Sequence, residues 1–514
     1  MYSNLRFHCL QTLLIATLAS GFFAHSALAV DFLWNVAGPA DWNVGSNWDP
    51  EGPPAGGGGN HAFVNNGGTA EITADIPDIQ DIFVGAGADT SGTLNQTGGN
   101  TFQGTGSWMF VGQDGGTGTY NLSGGTQNKA RLYIGRNAGG NGTLNMTGAG
   151  AVNGEELNVG VDGATGSASL SDDATVTTTG LVQVANGSMT VTGNASISGG
   201  GEFWVGQGDG NSAELNMNSG NIEADTWIAI GRANSTGVVN LSGTARLAKV
   251  GVNDSFITVG AAVGTPGGNG TINVSENATF ESATGMVLSE NAGTVGIVNQ
   301  TGGTVRLNDF ENMNWGNSLD LDGANEGTGE YHLSGGTLAA QTIVGGDTGL
   351  FDMTGGVLNA TSFEGNLSQN GGTLSPGASP GTMTVTGDYS LDSGDLFIEL
   401  DGVMAGTGYD QLIVTGDVSL AGDLTLALGF TPGFGDMFTI IDNQGSNPVS
   451  GMFSQGTSIT EGGFGFGINY AGGDGNDVVL TVVPEPAGLA LLAMVTLLGI
   501  LPGRRQTPPR LAGR

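Results

Sequence analysis

One phrase is written over and over along this chain, and it limits the chain to very few architectures. Gly92 begins GTLNQTGG, Gly118 begins GTYNLSGG and Gly142 begins GTLNMTGA. Further copies begin at Gly166, Gly187, Ala213, Gly237, Gly270, Gly296, Gly329 and Gly349, mostly 20 to 26 residues apart, with two intervals of 33. A repeat of this length is one supersecondary unit that cannot bury its own apolar face, so it must stack on its neighbours.

Inside each copy apolar and polar residues alternate. Leu94, Tyr120, Leu144, Met189, Leu215, Val239, Ile272, Tyr331 and Phe351 share one position. Leu122, Met146, Val191, Met217, Leu241, Val274, Leu333 and Met353 share the next but one, with Thr, Asn and Ser between. Period-two alternation marks a strand with one buried face. A second strand precedes most copies, as in IFVG from Ile82, MFVG from Met109, LYIG from Leu132 and LNVG from Leu157. Each coil therefore holds at least two strands joined by glycine turns. The 97 glycines punctuate this repeat rather than mark a disordered chain. The expected fold is all-β: a parallel β-solenoid (β-helix) over 69–366, followed by a C-terminal β-domain or cap over 367–482. About eleven coils at ~4.8 Å each predict a rod of about 50 Å.

The segment 30–68 carries Trp34, Trp42 and Trp48. It reads as a hydrophobic cap over the first coil, because a solenoid end must hide its open edge. A sugar-stacking site is the other use such tryptophans suggest. Beyond 366 the glycine phrase gives way to longer strands, DLFIEL from Asp395, DLTLAL from Asp423 and VVLTVV from Val478.

Both termini read as addresses. Residues 1–29 have the form of a signal peptide, with an apolar run from Leu10 to Phe23 and a small-residue cleavage site at Ala27 and Ala29. Cys9 is the only cysteine, so the mature chain is expected to form no disulfide and to use no thiol. Residues 483–514 hold Pro484-Glu485-Pro486, an apolar run from Ala487 to Leu501, then Arg504 and Arg505. That run is short for a stable span of about 20 residues. It suffices for a transient C-terminal membrane helix, with the arginines favouring the cytoplasmic side.

The charge is one-sided. Between residues 30 and 483 the only bases are Lys129, Arg131, Arg136, Arg232, Arg246, Lys249 and Arg306, while of the 47 acids only Glu485 lies outside that span. Such a chain is repelled by nucleic acid and anionic lipid, and no nucleic-acid partner is expected.

Signals for chemistry are sparse. His61 and His332 are the only histidines beyond the signal segment, and no GxSxG elbow is present. The chain is not expected to be an enzyme or to need a cofactor. GGDGNDVVL from Gly472 fits one copy of a calcium-binding β-roll nonapeptide, with Asp474 and Asp477 as candidate ligands. Such rolls share each ion between tandem copies, and a single copy reads more simply as a turn, so no metal is expected. The Asn-x-Ser/Thr triplets at Asn95, Asn121, Asn145, Asn240 and Asn299 recur at one repeat position. They read as a ladder of stacked amides rather than glycosylation acceptors. One outward position carries Phe83, Phe110 and Tyr133 on successive coils, then Asn158, Gln183 and Trp204. The three rings form a candidate sugar-stacking strip, with mutual packing as the alternative.

Two resemblances follow from these motifs. The coils, with LSPGASPGTMTVTG, YDQLIVTG and GGDGNDVVLT, resemble autotransporter-passenger-like proteins of Gram-negative bacteria, although no long membrane barrel follows them. The tail resembles the PEP-CTERM sorting signal. That resemblance implies recognition by an exosortase, which would cut near Pro484–Pro486 and deliver the protein to the cell surface. The combined expectation is an exported surface or extracellular-matrix protein with a structural or adhesive role. The alternatives are a polysaccharide-binding module and a polysaccharide-degrading β-helix enzyme; acids clustered round a base in a groove would favour the enzyme, and a continuous exposed aromatic strip would favour binding.

Overall fold

The computed structural model describes residues 29–102, 106–252, 255–262, 267–308, 319–323, 327–346 and 348–484. Ala27, Glu485, Pro486, Arg504 and Arg505 lie outside them. The described chain is nearly all strand and winds into a parallel β-solenoid of about 14 turns.

Most coils have three strands, one beyond the two read from the alternation, and these pair in parallel with their counterparts in the next coil; in later coils faces merge into longer strands such as Val295–Leu307 and Thr328–Val344. Face A is built from the repeated phrase: Ser91–Gln96 pairs with Thr117–Leu122, which pairs with Asn141–Met146. The register sets Leu94, Tyr120, Leu144 and Ala168 in one buried column. Face B follows the glycine turn. Its strands are short, Asn100–Thr101, Thr126–Gln127 and Ala151–Gly154, and again pair in order. Face C holds the second strand read from sequence, with Ile79–Ala86, Trp108–Gln113, Arg131–Arg136 and Glu156–Val161 in register. One apolar core runs from Trp34 to Val482 along the axis.

The glycines sit where only glycine fits. Gly125 turns the chain from face A to face B at φ +80, and a Cβ there would lie 2.1 Å from the carbonyl oxygen of Gly99 in the coil before. Gly112 does the same between faces C and A, at φ +72 and 2.0 Å from Asn141 O. Both the left-handed backbone and the close approach of the next coil exclude a side chain.

Both ends differ from the boundaries drawn from sequence. In the N-terminal segment, Asp31–Trp34 pairs in parallel with Gly57–Val64, and Pro39–Asp41 with Asn66–Ile72. The ladder thus begins inside the cap. Trp34, Trp42 and Trp48 are buried over the first coil, with Trp48 edge-on to Trp34 at 4.9 Å and to Trp42 at 4.7 Å between ring centroids. They form the cap and leave no ring face for a sugar.

At the other end the parallel ladder runs across 366/367. Leu367–Pro376 pairs with Tyr389–Leu400, Thr382–Val385 with Gln411–Val414, and the latter with Met437–Asn443. Only then does the chain turn antiparallel: Asp477–Val483 lies between Met437–Asn443 and Phe464–Gly472, and Ser458–Glu461 forms the outer edge. The C-terminal cap is this antiparallel layer. With the extra turns the rod is about 65 Å long at ~4.8 Å per coil, not about 50 Å.

Candidate functional site

Residues dispersed in sequence become columns on the outside of a solenoid, so a site here is a run of one repeat position. The column that sequence singled out on face C begins one coil earlier than expected, at Phe63. Phe63 stacks on Phe83 at 4.5 Å and 6°, Phe83 on Phe110 at 4.9 Å and 15°, and Phe110 on Tyr133 at 5.3 Å and 10°. The rings face each other along the axis, because coil spacing matches ring thickness and offset. Neighbouring columns close over them. Arg136 lies over Tyr133 at 4.5 Å and over Phe110 at 5.2 Å, and Trp108 stands edge-on to both. Phe110 is 3% and Tyr133 7% exposed. The expected flat platform is therefore an internally stacked, covered column with its ring faces occupied.

Further along face C the same position gives a hydrogen bond from Gln183 Nε2 to Asn158 Oδ1 at 2.5 Å. Trp204 follows, under the guanidinium of Arg232 at 4.0 Å. Trp108 was not singled out in the sequence, and Arg131, Arg136 and Arg232 were counted there only as charges, not as neighbours of the rings. Aligning the coils on their Gly112-type glycine would have shown them, since each flanks the ring column at a fixed offset.

On face A the amide ladder forms as expected. Asn121 donates to Asn95 at 2.9 Å, Asn145 to Asn121 at 2.8 Å, Asn240 to Asn216 at 2.8 Å, Asn273 to Asn240 at 2.7 Å and Asn299 to Asn273 at 2.9 Å. His332 takes the next rung, between Glu330 at 3.1 Å and Asp352 at 3.4 Å. His61 on face C sits likewise between Asp31 at 3.1 Å and Asp81 at 3.6 Å.

Asp477 is buried, and its Oδ1 accepts the Asn443 N–H at 3.0 Å, which ties the last turn to the ladder. Burial pushes its carboxyl pKa up, partly opposed by that hydrogen bond. Its position is that of a turn anchor, with Asp474 nearby as a repelling charge. Among the described residues no group of three or more His, Cys, Asp or Glu is placed to hold a metal ion.

Face B holds an arrangement that the sequence hid. Glu223, Arg246, Glu281 and Arg306 come from four successive coils: Glu223, Glu281 and Arg306 share one column, and Arg246, from the adjacent column of Asn221 and Thr279, bridges Glu223 and Glu281, so that the four charges form an alternating line. Arg246 reaches Glu223 at 2.5 Å and Glu281 at 3.0 Å, and Arg306 reaches the other oxygen of Glu281 at 2.9 Å. The hydrogen bond from Arg246 is the main reason the Glu223 carboxyl is held below its ordinary pKa. Beside the line, the ammonium of buried Lys249 donates to Gly251 O at 2.5 Å, and burial pushes its pKa down to about 8. Arg246, Lys249, Glu281, Ser282 and Arg306 line a depression of about 300 Å³. Three of the seven bases between residues 30 and 483 thus meet on one face. Intervals of 23 to 35 residues between the paired residues made the same charges look scattered.

At the ends, Ala29 and Pro484 are exposed. Among the described residues no helix is long and apolar enough to cross a membrane. Compared with known proteins, the chain matches no family model and no curated protein.

Proposed function

We propose that this chain is an exported rod with a structural or adhesive role at the cell surface or in the extracellular matrix, sorted by an exosortase through its C-terminal tail. The observation that carries the reading is how the outward columns are spent. The amides of face A bond to one another, the rings of face C stack on one another, and both ends of the rod are capped. Side chains that elsewhere would meet a substrate here join coil to coil, which suits a load-bearing or spacing element. The exposed Pro484 at the end of the last strand supports the tail reading, since a protease acting on the Pro-Glu-Pro segment needs it clear of the ladder.

The test is fractionation of the native cell. Deleting 485–514 should release the protein from the surface fraction into the medium or periplasm without loss of folded protein. Unchanged surface retention of the deletion would reject the sorting role.

A polysaccharide-degrading enzyme is the second reading, and the Glu223–Arg246–Glu281 cluster beside a depression favours it. Its weakness is the direction of the Glu223 shift. Glycoside hydrolysis needs one carboxyl held above its ordinary pKa to act as acid, whereas Arg246 holds Glu223 below. Release of reducing ends or unsaturated sugars from matrix polysaccharide would establish the enzyme.

A further inference from the structure

Next to the charged line, face B changes character. The column that carries Glu281 and Arg306 continues with Ala339, Asn359 and Ser375 on the next coils. The step from arginine to alanine leaves a pit of about 270 Å³ beyond Arg306, floored by Ala339 and Ala378 and edged by Asn359 and Thr361. Arg306 and Asn308 line both this pit and the depression around Arg246, so the two form one groove along the rod axis. From Arg246 to Ser375 it crosses five coil steps, about 24 Å at ~4.8 Å each.

The pit also holds an unpartnered acceptor. On face A successive asparagines such as Asn95, Asn121 and Asn145 bond to one another from rung to rung. Asn359 sits between Ala339 and Ser375, and its Oδ1 is buried with no hydrogen-bond partner. A buried acceptor without a partner is costly and is normally satisfied by protein, water or ligand. Across the same pit the side chain of Arg306 remains 57% exposed, with one N–H engaged by Glu281.

We propose that this groove binds a neutral, hydroxyl-rich glycan lying along the rod. Sugar hydroxyls both donate and accept, which is what an orphan amide oxygen and a half-free guanidinium together require. The alanine methyls offer a flat apolar floor to the C–H face of a pyranose ring. Charge decides between neutral and acidic polymers. Glu223 and Glu281 balance Arg246 and Arg306 within the line, and Asp225 is the acidic charge acting on Lys249 beside it, so three acids match three bases and the groove has no excess of positive charge. The chain around it carries a formal net charge of −35, which opposes approach of a polyanion. The inference deepens the adhesive reading and rests on it for its biological setting, although binding itself can be measured apart from export.

The experiment uses the full mature chain on an array of immobilised neutral and uronic-acid oligosaccharides, followed by titration of the strongest neutral binder. Binding to neutral oligosaccharides is expected, weakened at least tenfold by Asn359→Ala and by Arg306→Gln, and abolished by Ala339→Trp, which fills the pit from an outward position. The thermal transition of each variant is recorded alongside, and Thr93→Trp on face A serves as a variant of equal bulk that should bind normally. Binding to no neutral glycan, preference for the acidic ones, or indifference to all three groove substitutions would overturn the proposal. None of these outcomes bears on cell-surface sorting, which fractionation tests separately.

Discussion

Replacing Tyr331 with phenylalanine removes a single oxygen from the core, and the structure predicts its cost. Tyr331 and Gln300 are both fully buried, one coil apart. The phenol donates to Gln300 Oε1 at 2.6 Å, and Gln300 Nε2 donates to Thr337 O at 2.9 Å and Gly303 O at 3.4 Å. The same unit occurs twice more. Tyr120 donates to Gln96 at 2.6 Å and Tyr389 to Gln369 at 2.9 Å, and both glutamines reach the turn carbonyl three residues on. Tyr331→Phe strands a buried acceptor, which costs about 1–3 kcal/mol. A long repeat array does not unfold as one unit, so the local opening is the quantity to measure. Amide hydrogen exchange in Val295–Leu307 and Thr328–Val344 should accelerate by about 5- to 150-fold, the same energy expressed as a ratio. The double variant Gln300→Leu/Tyr331→Phe should cost at least 1 kcal/mol less than the sum of the singles, because the stranded partner is gone; residues in contact couple by about 0.5–3 kcal/mol. Unchanged exchange in Tyr331→Phe, or strict additivity in the double variant, would refute the pairing.

Three further predictions follow from the same geometry. Leu144→Asp buries an unpaired charge between coils and should abolish folding of that region, while Thr143→Asp on the outer face should change the melting temperature by a degree or two; thermal scans of the pair check the inside–outside register. Substituting serine for Phe83, Phe110 and Tyr133 together should lower the melting temperature of the N-terminal coils markedly, since these rings are packed; a triple variant as stable as the parent would mean that the column adds nothing. Asp410 is buried, and although the N–H groups of Gly381 and Glu399 bond to it, burial pushes its pKa up to about 6. A folded pKa above the unfolded value of about 3.9 gives stability that is full below that value and lost as pH rises through 6. Asp320, Asp395 and Asp477 are shifted upward by burial as well, so melting temperature should rise as pH falls from 7 to 5; a steady fall over that range would contradict the assignment.

What the sequence made legible was whatever alternates. The strands of faces A and C turn every second side chain into the core, as in Asn141–Met146 and Phe203–Gln207, and their columns were read position by position. Face B was invisible because Asn100–Thr101 and Thr126–Gln127 are two residues long and merge with the glycine turn before them. The change of texture beyond 366 is real, but it does not end the ladder. It reflects longer corner loops such as 401–410 and 429–436, while the ladder beneath them continues. Alternation also said correctly that Phe110 and Tyr133 point away from the core. It could not say that Trp108 and Arg136 would fold over them, because that cover comes from other repeat positions. The groove was hidden for the same reason: Arg306, Ala339 and Asn359 are neighbours only once three coils are stacked.

The central claim, a solenoid exported and then released from a sorting tail, is tested most directly by the intact mass of the protein taken from its native cell surface. The account predicts a polypeptide that starts at Val30 and ends at or close to Pro484–Pro486, bare or carrying a surface attachment. A mass that retains the apolar run from Ala487 to Leu501 and the arginines beyond it would contradict the account.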